Sequence, residues 1–555
     1  MAKALKNRAS KQVYISPSQP LLDGFVTPFS KQLNVSNRWV VLASKIPWDE
    51  LVSIYINQLG NAKTGAGGIN PRVVLGALII KHICNLTDRE TIDQIQENMY
   101  MQYFIGYSSF SDEAPFDASL FVEIRNRLGV DQVNAMNARI INLANTRASS
   151  PVQKQEPPSP PSENSAPTVD AQQEKKTEQS PAITHEGKLL IDATACPQDI
   201  RYPTDLNLLN DAREKSEELI DFLYAGCGER DKPRTYREEA RKNYLRIAQK
   251  KRKSKKEIRR GIKKQLNYLR RNIKNIHCLL DQYGEQVPLD AHQLKYFFVI
   301  QTLYDQQVYM YEEKTHSVDF RIVSIHQPHV RPIVRGKATA DVEFGSKIQV
   351  SLMNGYAFLE ELSWEAFNEG ARLMKAIEQY KMRLGYYPQQ VCADKIYCNR
   401  ENRRRLKELG IELRAKPLGR PSAVKTEHVS PGERNPIEGK FGQAKTAYGM
   451  NLIKARLKST SESWIATIVL VLNLVKLTKS VLYSLLCRML EQLTTQLMER
   501  MSLLQAILGS RIHSLLRSNS FDFFSKPYVT TASVKVLAGS TWITLTHSGR
   551  GTFTG

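Results

Sequence analysis

The sequence lacks a cysteine framework. Seven cysteines, Cys84, Cys196, Cys227, Cys278, Cys392, Cys398 and Cys487, form an odd set with no Cys-x-x-Cys pair and no zinc-finger spacing. That argues against a disulfide-stapled or zinc-ribbon scaffold and suits a reducing cytosol. A long apolar run is also missing. The opening Met-Ala-Lys-Ala-Leu-Lys-Asn-Arg is not followed by an apolar signal core, and the strongest run, Trp464 to Leu477, is broken by Thr467, Asn473 and Lys476. It falls short of the ~18–20 apolar residues of a membrane span, so a buried helix is expected there and no membrane partner. Acids are the third shortage. Against 78 Lys and Arg stand 56 Asp and Glu, a formal net charge of +22 over 555 residues, which favours a polyanionic partner such as nucleic acid over a small neutral substrate. Charge alone does not separate DNA from RNA or a membrane surface. The length leaves room for a sizeable core and more than one domain.

What is present begins near Asn70. Pro71 opens a helix with Val74, Leu75, Leu78 and Ile79 at three- and four-residue steps, Asn85-Leu86 makes a turn, and Thr87-Asp-Arg-Glu90 is a capping box for the next helix. Another helix starts near Asp117 or Ser119, and a further one follows Gly129. Short helices on a tight turn suit DNA reading and equally suit a small bundle; Arg125 and Arg127 are phosphate contacts in the first case and a solvated face in the second. Residues 1–147 are thus expected to be an N-terminal helical domain, with DNA binding as its candidate role. From 148 to 186 the composition turns to Pro, Ser, Glu, Gln and Lys, as in Pro157-Pro158-Ser-Pro160-Pro161. Such a stretch builds no core and is expected to be a disordered linker.

The chain restarts as Leu189-Leu-Ile-Asp192, a short apolar run that ends on an acid, as when a central strand delivers a carboxylate to the rim of a sheet. An ordinary turn Asp is the competing reading. A mainly helical stretch follows over 205–310. From Lys250 to Lys274 it has thirteen Lys or Arg and a single acid, Glu257, interleaved with Ile258, Ile262, Leu266, Leu269 and Ile273 at helical steps. One face packs, while Lys250, Lys251, Arg252, Lys253, Arg259 and Arg260 are placed to neutralise phosphates; a solvated charged helix is the alternative. Strands are expected over 321–325, 344–352 and 356–362, the last two joined by the hairpin signal Asn354-Gly355. A helix over 368–383 precedes Gln390-Val-Cys-Ala-Asp394, a second apolar run closing on an acid. A helix over 399–409 and a strand over 411–415 follow.

The stretch from Pro431 to Tyr448 organises the rest. On a continuous helix, Arg434, Glu438 and Lys445 fall within about 40° of one face, an acid between two bases. The same letters read as a helix start, with Asn435 as N-cap, Pro436 at the first helical position and Glu438 three residues on, which leaves Arg434 just outside. Taken together, the order of elements describes an α/β, ribonuclease H-like domain over 187–479 with a large basic helical insertion. In that plan the first and fourth strands lie side by side, so Asp192 and Asp394 meet and Glu438 reaches them from the last helix. Three carboxylates at one point need cations between them, and hard oxygen ligands with open positions suit two Mg²⁺ about 4 Å apart, with Mn²⁺ as a substitute.

Those residues carry a resemblance. Arg434-x3-Glu438-x6-Lys445 resembles the Tyr-x2-Arg-x3-Glu-x6-Lys signature of bacterial insertion-sequence DDE transposases, the broad group containing the insertion-sequence four and five families; Pro431 stands where the signature has Tyr. Similar surroundings are Leu189-Leu-Ile-Asp192-Ala-Thr, Arg335-Gly-Lys, Glu343-Phe-Gly-Ser-Lys, Leu362-Ser-Trp364 and Ala393-Asp394-Lys395. The likeness covers roughly 40–147 and 187–478. Residues 480–555 show only a Leu-rich stripe from Leu482 to Leu508 at helical spacing, which reads as packing or as self-association. The resemblance implies that Asp192, Asp394 and Glu438 are catalytic and hold the metal pair, and that Arg434 and Lys445 hold double-stranded DNA near the cut. It also implies Trp364 stacking on an unpaired base, unless that ring is core, a homodimer on paired transposon ends, and a bacterial cytoplasmic, nucleoid-associated setting. The implied chemistry is hydrolysis at the element's ends, then attack of the freed 3′-hydroxyl on target DNA. A metal nuclease that cuts without joining and a catalytically inactive DNA-binding remnant are the alternatives.

Overall fold

A computed structural model describes residues 28–29, 33–58, 68–149, 184–227, 231–284, 286–334, 342–415, 431–478, 532–538 and 541–547. The chain divides into two compact units, Met1–Ser480 and Val481–Gly555. The first opens with helices α1 (Arg38–Lys45), α2 (Trp48–Ile56), α3 (Pro71–Cys84), α4 (Asp88–Glu97), α5 (Met99–Phe104), α6 (Leu120–Arg127) and α7 (Val130–Ser149). The local signals are built as spelled. Asn70 caps α3 on the Arg72 amide at 2.9 Å, Asn85 ends it with φ 52°, and Thr87 and Glu90 close the capping box of α4. α3 is buried from Val73 to His82, so it is the axis on which the others pack. Along α4 the exposed side chains, Arg89, Glu90, Asp93, Gln94 and Glu97, are mostly acidic or neutral. Arg125 is buried in a bidentate pair with Asp88, both bonds 2.8 Å, and so is no phosphate contact.

After β1 (Lys188–Pro197) come four helices, α8 (Asp205–Cys227), α9 (Arg237–Ala248), α10 (Lys255–Tyr283) and α11 (Ala291–Glu312). Then follow β2 (Arg331–Val334), β3 (Val342–Met353), β4 (Tyr356–Ser363), α12 (Leu373–Leu384), β5 (Gln390–Cys392), α13 (Arg400–Glu408), β6 (Glu412–Arg414), α14 (Asn435–Ala447) and α15 (Lys458–Thr478). β1 is the centre of the sheet. It pairs antiparallel with β3 on one side and parallel with β5 on the other, and β6 lies parallel beyond β5. Both β2 and β4 pair with the far edge of β3, one along each half. Asn354 and Gly355 turn the β3–β4 hairpin with φ 50° and 76°, the left-handed pair that a two-residue turn requires. A β-carbon at Gly345 would collide with the Cys196 carbonyl across the β1–β3 pairing.

The strand expected over 321–325 is not formed. Ile322 and Ile325 pack into the core of α8–α11, Val323 packs with Val330 and Trp364, and the Ile322 amide donates to the Gln306 side chain at 3.0 Å. Apolar character there serves two cores at once, and the sheet edge goes to β2 instead. One face of the sheet shares a continuous core with α1–α7, α14 and α15, including Trp39, Phe104, Val350, Ile437 and Ile468. The other face lies under α12 and α13, with Leu189, Ile191, Val391 and Tyr397. α15 is long and apolar enough to cross a membrane by length and composition, and 83% of its apolar window is buried within the fold. Along the open edge of β4, Asn134 donates to the Leu359 carbonyl at 3.4 Å and Asn137 to the Ala357 carbonyl at 2.9 Å. Asn473 of α15 takes both remaining directions, accepting from the Ala357 amide at 2.8 Å and donating to its carbonyl at 2.7 Å. In the second unit, β7 (Ala532–Ala538) and β8 (Thr541–His547) pair antiparallel. Residues 150–183 of the expected linker, Arg335-Gly-Lys337 and the Leu482 to Leu508 stripe lie outside the described residues.

Lys81 gives the helical part a pH dependence. It is 1% exposed, held by Asp88 at 2.9 Å and the Leu86 carbonyl at 2.7 Å, with its Nζ 4.5 Å from the Trp464 ring centroid. Burial pulls its ammonium from 10.5 down to about 8, against the pull of Asp88. Between those values the unfolded chain binds more protons than the folded one, so stability rises with pH across the window. Urea unfolding should show wild type gaining on Lys81→Met from pH 8 to pH 10 by on the order of 2 kcal/mol; parallel stability curves would contradict the shift.

Candidate active site

The parallel register of β1 and β5 sets the site. Leu190 stands opposite Cys392, so two residues further on Asp192 and Asp394 occupy matching positions on the same side of the sheet. Asp394 lies just past the strand, where its carboxylate accepts from the Lys395 amide at 2.7 Å. Asp192 lies within β1 and accepts from the Ala193 amide at 2.9 Å. α14 crosses this face, burying Ile437 and Ala444 in the shared core. That places Arg434 over both acids. Its guanidinium is 3.0 Å from Asp192, 3.3 Å from Asp394 and 3.8 Å from Glu438, one turn into the helix.

The three acids are unequal. The Asp192 side chain is 17% exposed, Asp394 47% and Glu438 58%. Burial pushes the Asp192 carboxyl above its usual range; the Ala193 amide and Arg434 pull it back, while Glu369 and Asp394 add to the push. Glu369 is itself paired with Lys347 at 2.8 Å, and beneath it Gln349 donates to the buried Tyr397 hydroxyl at 3.0 Å. The expected N-cap at Asn435 does not form. Arg434 holds that position with φ −95°, no side chain caps the helix, and Pro436 sits one place later than expected. The reason is electrostatic: Arg434 is fixed by the acids beneath it, and the helix starts where that residue can reach them. Asp192, Asp394, Glu438 and Arg434 thus come together as expected residues in an unexpected geometry, with the base among the acids. Glu433 was not singled out in the sequence, yet it accepts from Lys188 of β1 at 3.0 Å and Arg414 of β6 at 3.1 Å. Lys188 beside it holds its carboxyl below the usual range. Its partners lie 245 and 19 residues away, so no local spacing announces them.

The other expected residues are dispersed. Lys445 is half-buried on α14, about 10 Å along the helix from Glu438 at 1.5 Å per residue. Trp364 is only 7% exposed, its ring meets His329 edge-on at 4.4 Å between centroids, and its Nε1 donates to Glu462 at 2.7 Å. It is a core residue and not a platform for an unpaired base. Among the basic residues, Lys250 pairs with Glu257 at 2.6 Å and Arg259 donates to the Tyr311 carbonyl at 2.9 Å. Lys251, Arg252, Lys253 and Arg260 are exposed at the start of α10, where Ser254 and Glu257 form a capping box.

Because Arg434 is the cation between the acids, its loss exposes their mutual repulsion. Arg434→Gln should lower stability at pH 7 by about 2 kcal/mol, with the loss shrinking as pH falls to 4 and Asp192, whose carboxyl burial raises, takes up its proton. Urea unfolding at both values checks this; an equal loss at pH 4 would mean that Arg434 acts by packing alone.

Comparison with known proteins finds two matching family models. The model described as "Transposase DDE domain" matches residues 391–475, which include Asp394, Arg434, Glu438 and Lys445. The model described as "Transposase domain (DUF772)" matches residues 28–127, which include all of α1–α6. An uncharacterized protein, ORF8 in the nfe locus of Rhizobium meliloti, is 32% identical over 116 residues, 20% of this chain and 54% of that protein. The chain spans about half the length of that curated relative. No solved structure matches. With a transposase-domain model at the N-terminal helices and a transposase DDE-domain model across the second and third acids, the two matched stretches are consistent with a DDE transposase of a bacterial insertion sequence.

Proposed function

We propose that this chain binds the ends of its own insertion sequence, cleaves DNA phosphodiesters there with the help of two divalent metal ions, and joins the 3′-hydroxyl ends to target DNA. The observation that carries the reading is the gathering of Asp192, Asp394 and Glu438 around one guanidinium. The sheet order, with β4 and β2 outside β3, then β1, β5 and β6, supports a ribonuclease H-like plan, and α8–α11, with a core of their own, read as an insertion between its first two strands.

The donor set fits Mg²⁺ or Mn²⁺ in chemistry. All three side chains offer hard oxygens, and their combined charge already draws a cation into the gap. Among the described residues no three His, Cys, Asp or Glu side chains are arranged to hold one ion; the half-exposed Glu438 would have to turn inward and Arg434 outward. Bound there, such ions activate the attacking oxygen and stabilise the leaving oxygen of an in-line displacement. The chain's own residues do the rest. Asp192 and Asp394 are held by amides one residue on, so their oxygens are preset. Arg434, once displaced from the acids, is a guanidinium at the mouth of the site that can take a DNA phosphate. Lys445, further along α14, lies on the same path, and the exposed cations leading into α10 add affinity without reading sequence. Holding two ends at once calls for two copies of the chain, working on DNA in the cytoplasm.

In Mg²⁺-dependent cutting of duplex carrying the gene's flanking sequences, Asp192→Asn, Asp394→Asn and Glu438→Gln should each cut at least ~100-fold more slowly while binding DNA as wild type does. Retained cutting by any of the three removes that residue from the site. Binding without cutting by wild type would favour a DNA-binding remnant, and cutting without joining a nuclease. Neutralising Lys251, Arg252, Lys253 and Arg260 together should flatten the salt dependence of binding by about 0.9 in log–log slope per lost phosphate contact; an unchanged slope would remove this stretch from the interface.

A further inference from the structure

We propose that Glu433 is a positioning residue that keeps α14 on the sheet while the acids exchange Arg434 for another cation; the inference rests on the metal-site reading above. Its carboxylate gathers side chains from three adjacent strands. Lys188 of β1 donates to one oxygen at 3.0 Å, the Cys392 thiol of β5 donates to the same oxygen at 3.5 Å, and Arg414 of β6 donates to the other at 3.1 Å. The next residue faces opposite charge, with Arg434 on Asp192 and Asp394. Two consecutive side chains of opposite sign therefore fasten the entry of α14 at two points.

The spacing of those points matters. Lys188 and Asp192 are four residues apart on one face of β1, ~13 Å along the strand. Two attachments so far apart fix the rotation of α14 as well as its position, and with it where Glu438 points. No side-chain cap does this job for the helix. The two attachments also respond differently to a divalent ion. An ion that takes the carboxylates competes directly with Arg434, so that attachment loosens as the ion enters. The partners of Glu433 are two cations and a thiol, and the same ion leaves them in place. Glu433 thus holds the helix in register through the exchange.

The test is Mn²⁺ titration calorimetry on the full chain without DNA, alongside steady-state cutting of the flanking-sequence duplex. Glu433→Ala should bind Mn²⁺ about tenfold more weakly, as when a residue supporting metal ligands is lost. Its kcat should fall at unchanged KM for DNA and be restored by raising the Mn²⁺ concentration, a rescue that a purely structural loss would not give. Glu433→Gln, which keeps an acceptor oxygen, should recover part of the affinity. Lys188→Met combined with Arg414→Met should reproduce the loss with Glu433 intact, and decides the matter if Glu433→Ala does not fold. Wild-type Mn²⁺ affinity in Glu433→Ala, with weakened binding in Glu438→Gln, overturns the proposal and leaves the metal site standing. A wild-type chain that takes up no Mn²⁺ overturns both.

Discussion

Like charges do not gather without a counter-charge, and the sheet-bearing part of this fold is arranged around that constraint. Asp192, Asp394 and Glu438 arrive from a central strand, the end of its parallel neighbour and a helix laid across them. Arg434 stands among them as the counter-charge. Its position explains the start of α14, the missing cap and the orientation of the helix. The apolar contacts of Ile437 and Ala444 with the shared core hold the helix down, and the charges decide how it is turned.

The same logic of alternating sign runs along this face of the sheet. Lys188 and Arg414 meet Glu433, and one residue later Arg434 meets the acids. Isolated surface ion pairs contribute little, because solvent screens them and side-chain ordering opposes them. Here the pairs are partly buried and share members, so each charge is fixed by more than one partner, which is the circumstance in which such contacts specify geometry.

Much of this was legible in the sequence where the signal was local. Thr87 and Glu90, Asn354-Gly355 and the apolar run closing on Asp394 each fix backbone within a few residues, and the structure builds them that way, whereas β1 does not stop at Asp192 but runs on to Pro197. Legibility stopped where a residue's partner lies far along the chain. Asn435 and Pro436 spell a helix start, but the helix begins one residue sooner, directly after the Arg434 that the distant acids hold. Residues 321–325 have a strand's composition because two separate cores claim them. Trp364 reads equally as a stacking platform or as core, and only the contacts with His329 and Glu462 decide between the two.

The asparagines along β4 have a consequence for assembly. Asn134, Asn137 and Asn473 occupy backbone groups that a sheet edge would otherwise offer to another strand. At the opposite border the sheet ends in β6, only three residues long. Among the described strands, the edges left for another chain to extend are then chiefly the short β2 and β6. Where the backbone of β4 is already taken, a partner chain meets side chains first, and their fit rather than strand addition sets what associates along that border.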